Sequence, residues 1–312
     1  MKVPVLLIVF NRLETTQKVF DVIRAYKPLQ LFIAADGPRL TVTEDADKCI
    51  TVQQWLLDNV DWDCDVKTLF QKTNIGCGKN PATAISWFFE HVLEGVILED
   101  DTVPHIDFFE YANSLLAKYR DNNQIMAINS SNFQEVKRND GSYYFSMQNG
   151  PFCGWATWKR AWKWFDFEME KYSYNQIKKS MKWYGATKRE RDWWLDIYMG
   201  LKADRYHGSA WDFQFIFAIW VAKGKSIVPN VNLSTNIGFG PGATHTTDPN
   251  SVTANRKTSS IMPMEFPSSE IISREADLYY HDFYYDKMVE HVSLFKQMKR
   301  WVKKKIRKIS NY

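Results

Sequence analysis

Three consecutive carboxylates, Glu99-Asp100-Asp101, follow directly on the apolar run Gly95-Val96-Ile97-Leu98 and are closed off by Thr102-Val103-Pro104. The run is too short for a typical helix and reads as a buried strand that delivers the acids to the rim of a sheet. Side by side, three acids repel one another, and a positive group belongs among them. Carboxylate oxygens suit a hard divalent cation, Mg²⁺ or Mn²⁺, which keeps several waters and shares a phosphate. The alternative is a solvated acidic turn. Lys79 follows a glycine-containing loop, Asn74-Ile75-Gly76-Cys77-Gly78, and could reach a diphosphate or simply face water. That loop has neither the Walker spacing nor the dinucleotide fingerprint. Asp212, in Trp211-Asp212-Phe213, opens an apolar helix whose dipole stabilises a carboxylate. It is either a plain helix-start acid or a base for a hydroxyl proton.

The elements that must position these residues alternate. Val3 to Phe10 and Leu29 to Ala35 are continuous apolar runs and read as strands ending in Asn11-Arg12 and Asp36-Gly37-Pro38. Asp65 to Phe70 is a third strand, and the acidic motif ends the fourth. Between them lie a helix capped at Thr15-Thr16, one capped at Thr43 that carries Val52, Trp55 and Leu56, and one from Ala82 to Leu93. Alternating strands and helices mean βαβ units in a parallel sheet, with ligands at the carboxyl ends of the strands. Asn11-Arg12, Asp36-Gly37 and Glu99-Asp100-Asp101 therefore converge on one rim of a nucleotide-binding half.

At 312 residues, the chain has length for one large or two smaller domains; its 45% hydrophobic and 24% charged content is ordinary for a globular protein. A net charge of +4 is too small to argue for nucleic acid. Cys49, Cys64, Cys77 and Cys153 show no metal-ligand spacing and no dense disulfide pattern, which points to a reducing cytoplasm. The N-terminal apolar run is short for a signal peptide and no small-residue cleavage site follows it. Aromatic content is 15%, with 13 Trp, a composition that suits either sugar contact or a tryptophan-rich core. Trp158 and Trp162 have helical spacing, in a helix from Ala156 onward, and suit the core. Trp155, next to Gly154, is the better candidate for sugar contact, because a glycine lets the backbone approach a ligand closely.

Asn11-Arg12, Ala35-Asp36-Gly37-Pro38 and Gly95 to Pro104 followed by Phe108-Phe109-Glu110-Tyr111 resemble the pattern of GT-A fold glycosyltransferases. The likeness is to the N-acetylglucosaminyltransferases that extend N-glycan mannose and to bacterial sugar transferases of similar pattern. Ala127-Ile128-Asn129-Ser130-Ser131-Asn132-Phe133, Phe152-Cys153-Gly154-Trp155-Ala156, Trp211-Asp212, and Phe239-Gly240 with His245 follow in matching order. The resemblance implies a mostly parallel central sheet flanked by helices and a metal-dependent, inverting sugar transfer from a nucleotide diphosphate, a UDP-sugar. It implies Asp101 as metal ligand, with Glu99 and Asp100 at the ribose or donor sugar. Asp36 would bind the nucleobase in a pocket lined by Asn11 and Arg12, Gly154 and Trp155 would lie between donor and acceptor, and Asp212 would be the base. His245, in a glycine-rich loop, would reach the metal or the diphosphate. The N-glycan enzymes carry two adjacent acids after the tryptophan, the second being the base; here Phe213 stands in that place.

The organisation read from this is a catalytic domain over 1–247, split into a nucleotide-binding half at 1–104 and an acceptor-side half at 105–247. Residues 248–312 make an irregular Ser, Thr, Asn and Pro-rich segment and a basic helical tail. In that tail Phe295, Met298, Val302, Ile306 and Ile309 form an apolar stripe among lysines and arginines, suited to an anionic membrane surface or to packing on the body. The enzyme expected is cytoplasmic, with a surface-polysaccharide or lipid-linked glycan as acceptor; the membrane reading of its tail would make it peripheral on the inner face of the plasma membrane, and the packing reading would not. The alternatives are a sugar nucleotidyltransferase, which needs a glycine- and lysine-rich loop after its first strand, and a non-catalytic glycan-binding module.

Overall fold

Each continuous apolar run of the N-terminal half is a strand, and the computed structural model, which describes residues 2–148, 150, 154–239, 251 and 253–285, sets them side by side. β1 (Val5–Val9), β2 (Gln30–Ala35), β3 (Asp65–Phe70) and β4 (Glu94–Glu99) alternate with α1 (Leu13–Tyr26), α2 (Asp45–Asp58) and α3 (Lys79–His91). They lie parallel in the order β3-β2-β1-β4, with Leu7 opposite both Ile33 and Leu98. After β5 (Thr102–Pro104) and α4 (Asp107–Lys118) come β6 (Ile125–Asn129), β7 (Tyr143–Ser146), β8 (Trp155–Trp158) and the short α5 (Lys159–Trp162). Then follow α6 (Tyr174–Trp183), α7 (Lys188–Lys202), α8 (Asp212–Val221), β9 (Lys225–Pro229), β10 (Ser234–Asn236) and α9 (Arg274–Tyr280), which runs into a π-helical turn, His281–Tyr285.

One eight-stranded sheet, β3-β2-β1-β4-β8-β6-β9-β7, crosses both halves of the chain. β8 runs against β4 and β6, and β7 runs against β9, while the other strands share one direction. Alternate residues of the central strands feed opposite faces, as the two-residue period of a strand requires. Leu6 and Ile8 pack with Phe88, Trp155, Phe215 and Trp220 on one side. Val5, Leu7 and Val9 pack with Phe20, Ile23, Val52, Phe108 and Leu115 on the other. Burial on both faces explains why these strands read as unbroken apolar runs rather than alternating ones.

Several local expectations change. α1 begins at Leu13 with Arg12 as its N-cap; the Thr15 and Thr16 hydroxyls donate back to the Arg12 carbonyl at 3.2 and 2.7 Å and cap nothing. α2 begins at Asp45, after Glu44 rather than Thr43. α3 starts at Lys79, ahead of Pro81, which a first turn tolerates because its missing N–H has no partner to lose. Trp155 to Trp158 form an antiparallel strand, not the start of a helix, since two-sided burial between β4 and β6 overrides helical spacing. β9 stops at Pro229, and β10 pairs separately with β5.

The segment after residue 247 packs on the body where it is described. Ile272 bridges Phe145 on the free side of β7, and Ser273 N donates to Phe145 O at 2.8 Å. Asp277, fully buried, accepts from Ser146 Oγ at 2.6 Å, Met147 N at 3.2 Å and Arg274 Nη1 at 3.2 Å. Arg274 in turn donates through Nη2 to both oxygens of Glu190 at 2.9 Å, and Glu190 closes the capping box of α7. The basic stripe expected from Phe295 to Ile309 lies outside the described residues.

Candidate functional site

The carboxyl ends of β1, β2 and β4 form the rim on which the sequence motifs meet. β4 ends at Glu99, so the chain turns through Asp100 and Asp101 where the strand pairing stops. Asp100 folds back under the rim: Phe10 N donates to its Oδ2 at 3.3 Å, and its side chain is only 7% exposed. The Arg12 guanidinium, rooted at the start of α1, lies across the pair through Nη2, which donates to Asp100 Oδ1 and, at 2.9 Å, to Asp101 Oδ2. Burial works against the Arg12 charge, but Asp100 and Asp101 more than offset it and raise its pKa.

Glu99 is half-buried and its carboxyl is pushed upward, first by burial and then by the charges of Asp101, Asp100 and Asp212, with Arg12 opposing. Asp100 is raised by burial as well, with Arg12 pulling the other way. Asp212 is the smallest of these raising influences and the one remote in sequence. It comes from α8, yet acts on the same carboxyl as the acidic motif. The convergence is built by backbone packing: the turn Gly208 to Ala210 before α8 lies against Gly78 at the start of α3. Behind it Trp155 stacks on Trp211, the residue before Asp212, with ring centroids 5.8 Å apart.

Asp101 is covered from the other side by the strand that follows β9. Asn236 pairs with Thr102, Ile237 N donates to the Asp101 carbonyl at 2.9 Å, and Gly238 crosses the carboxylate. A Cβ at Gly238 would stand 2.0 Å from Asp101 Oδ2, so a side chain there would have to displace the carboxylate. Asn236 also bridges Ala254, and Asn255 N donates to its carbonyl at 3.0 Å. The chain thus leaves and returns beside Asp101. His245, between those points, lies outside the described residues.

Other expected site residues are used differently. Asp36 was expected at the nucleobase, but its Oδ1 accepts from Gly37 N at 2.8 Å and Ile75 N at 2.9 Å, and its Oδ2 from Gly76 N at 3.0 Å and Asn74 Nδ2 at 2.9 Å. Four donors fill the acceptor positions of a carboxylate, so Asp36 clamps the Asn74 to Gly78 loop. Asn11 is turned to Asp45, donating at 2.8 Å, where Arg39 holds the Asp45 carboxyl down at about 2. Asp100 is too deep for ribose contact. Trp155, at 2% exposure, is a core residue and not a sugar platform. Gly154 has φ +83°, and its close approach is to Leu98 and Thr102 behind the acidic motif. Lys79 is exposed at the first residue of α3.

Sequence reading missed the clamping amides of Ile75 and Gly76, the Phe10 amide and the Asn236 to Gly238 cover. Main-chain donors leave no mark in residue types; Gly238 alone carried a signal, as one glycine of a glycine-rich run.

A hard divalent ion of the Mn²⁺ or Mg²⁺ class fits the chemistry of this donor set. Asp100 and Asp101 share one guanidinium at the end of β4, directly after Glu99, and such ions take one or two carboxylates with phosphate and water. Among the described residues no group of three His, Cys, Asp or Glu side chains is arranged to hold a metal by itself. No described helix is long and apolar enough to cross a membrane.

No protein-family model matches the chain, and no curated protein sequence matches it. Solved structures overlap with it in part. HddC from Yersinia pseudotuberculosis complexed with GMP-PN is 9% identical over 51% of this chain and 78% of that one, with a TM-score of 0.33. Apo UDP-glucose pyrophosphorylase is 9% identical over 73% and 90%, with a TM-score of 0.39. Mouse xyloside xylosyltransferase 1 is 12% identical over 70% and 81%, with a TM-score of 0.29.

Proposed function

We propose that the chain is a nucleotide-sugar enzyme that transfers a sugar from a nucleotide diphosphate, a UDP-sugar, to a hydroxyl of a glycan or lipid-linked glycan. This reading rests on the turn Gly208 to Ala210, which leads into Asp212 and lies against Gly78 at the start of α3, and on the charge of Asp212 acting on Glu99. In an inverting displacement the acceptor oxygen bonds to the anomeric carbon while the bond to the β-phosphate oxygen breaks. Asp212 takes the proton that the acceptor hydroxyl gives up. The departing diphosphate gathers negative charge, which Arg12, Lys79 and the amino end of α3 can meet. A divalent ion on Asp101 would supply further neutralisation of the diphosphate oxygens.

The second reading, a sugar nucleotidyltransferase, is favoured by the names of overlapping structures, UDP-glucose pyrophosphorylase among them. Against it, the link between β1 and α1 holds only Phe10, Asn11 and Arg12, with no room for a glycine- and lysine-rich phosphate loop. The products separate the readings. With Mn²⁺, a panel of UDP-sugars should release UDP, slowly by hydrolysis without acceptor and faster with one. Pyrophosphate release from UTP and a sugar 1-phosphate, without UDP release from UDP-sugars, would replace glycosyl transfer by nucleotidyl transfer. Binding of glycan with neither product would leave a glycan-binding module.

A further inference from the structure

The guanidinium of Arg12 lies on oxygens that a divalent ion would need. Its Nη2 touches Asp100 Oδ1 and is 2.9 Å from Asp101 Oδ2, while Gly238 closes over the same Asp101 oxygen. The second oxygen of Asp100 is taken by Phe10 N at 3.3 Å. The side chains are 28%, 7% and 17% exposed for Arg12, Asp100 and Asp101, so water screens the group poorly. A guanidinium and a divalent ion on the same oxygen, Asp101 Oδ2, repel each other at close range, so each weakens the hold of the other.

We propose that Arg12 gates the metal: it keeps a divalent ion off Asp101 until a nucleoside diphosphate draws the guanidinium away, so that ion and nucleotide enter together. This rests on the reading above, in which the site takes both. The exchange has a chemical direction. A guanidinium fork matches phosphate oxygens in two-point contact at least as well as it matches carboxylates. Arg12 is the N-cap of α1, so its root stays fixed while its long side chain moves, and the same helix start offers amides to a phosphate. When the diphosphate takes the guanidinium, Asp101 is left with uncompensated charge and gains affinity for the ion. Ion and nucleotide then strengthen each other by one common factor, because coupling between two ligands is reciprocal.

The test measures Mn²⁺ binding to the full chain by the electron paramagnetic resonance signal of the free ion, with and without UDP. Wild-type protein should bind Mn²⁺ about tenfold or more tightly with UDP than without it. Arg12→Gln should bind Mn²⁺ without UDP about tenfold more tightly than wild type, and UDP should add little. Arg12→Lys keeps one charge but cannot span both carboxylates; it should fall between them, and it carries the comparison if Arg12→Gln does not fold. Equal Mn²⁺ affinity without UDP in wild type and both variants would overturn the gate while UDP-dependent uptake upheld the site. So would variants that lower only the melting temperature, the mark of a purely structural ion pair. No Mn²⁺ uptake in any protein, with or without UDP, would remove the gate together with the reading beneath it.

Discussion

Replacing Asp36 by Asn separates a loop clamp from a nucleobase contact. The carboxylate receives four donors, three of them main-chain amides, at 2.8 to 3.0 Å. An amide side chain keeps one acceptor oxygen for two of them and turns an NH₂ toward the other two. A hydrogen bond to a charged group contributes roughly 1.5–3 kcal/mol, so losing two costs about 3 to 6 kcal/mol. Unfolding entropy of roughly 2.1 cal/mol/K per residue gives a chain of this length about 0.7 kcal/mol per degree, which makes the expected fall in melting temperature about 5 to 9 °C. Differential scanning calorimetry of Asp36→Asn, with and without UDP and Mn²⁺, reads this directly. A variant that melts like wild type but is no longer stabilised by UDP would refute the clamp and return Asp36 to the nucleobase.

Asp212→Asn should lower turnover about a hundredfold or more with UDP affinity unchanged, since a base acts on the acceptor in the transition state; wild-type turnover would remove Asp212 from the mechanism. Gly238→Ala sets a methyl 2.0 Å from Asp101 Oδ2 and should abolish Mn²⁺-dependent stabilisation by UDP, worth about 2.7 kcal/mol at a hundredfold excess over Kd; a full stabilisation in that variant would show that Asp101 is not the ion's anchor. Burial pushes the Asp277 carboxyl up to about 6, with Ser146 and Arg274 opposing. Its folded pKa lies above its unfolded one, so its contribution is fully present below about pH 4 and fades as pH rises to about 6, by about 3 kcal/mol. Urea unfolding from pH 4 to 7 should fall more steeply in wild type than in Asp277→Asn, where the raised Glu99 and Asp100 carboxyls still contribute a slope; parallel curves would count against it.

The rim was legible because its strands are buried on both faces and say so in their composition. Glu99 ends β4 as the acidic motif required, and the edge strand β3, with no buried residue, still keeps the expected bounds Asp65–Phe70. Asp36 shows where residue types stop being informative. Its position at the end of β2 was readable, but its partners are amides of a loop whose path depends on the whole fold. Trp155 is a second case: Trp-Ala-Thr-Trp suits a helix face or a strand equally, and only insertion between β4 and β6 decides it. α9 was invisible for a third reason. Its Asp277 and Arg274 look like surface charges until Ser146 and Glu190, far away in sequence, are brought to meet them.

The bridge of Ile272 to Phe145 has a bearing on the chain's solubility. β7 is the last strand of the sheet, and Tyr143–Ser146 is buried along its whole length, an uncharged aromatic edge of the kind that recruits foreign strands. At the opposite edge β3 carries Asp65 and Lys67, charges that discourage such addition. β7 has no charge of its own, and the returning segment shields it instead. Shortening the chain from its C-terminus should therefore be harmless to self-association down to the end of α9. Once Ile272 and Ser273 are lost, the exposed edge should drive strand-to-strand aggregation even if the rim still folds.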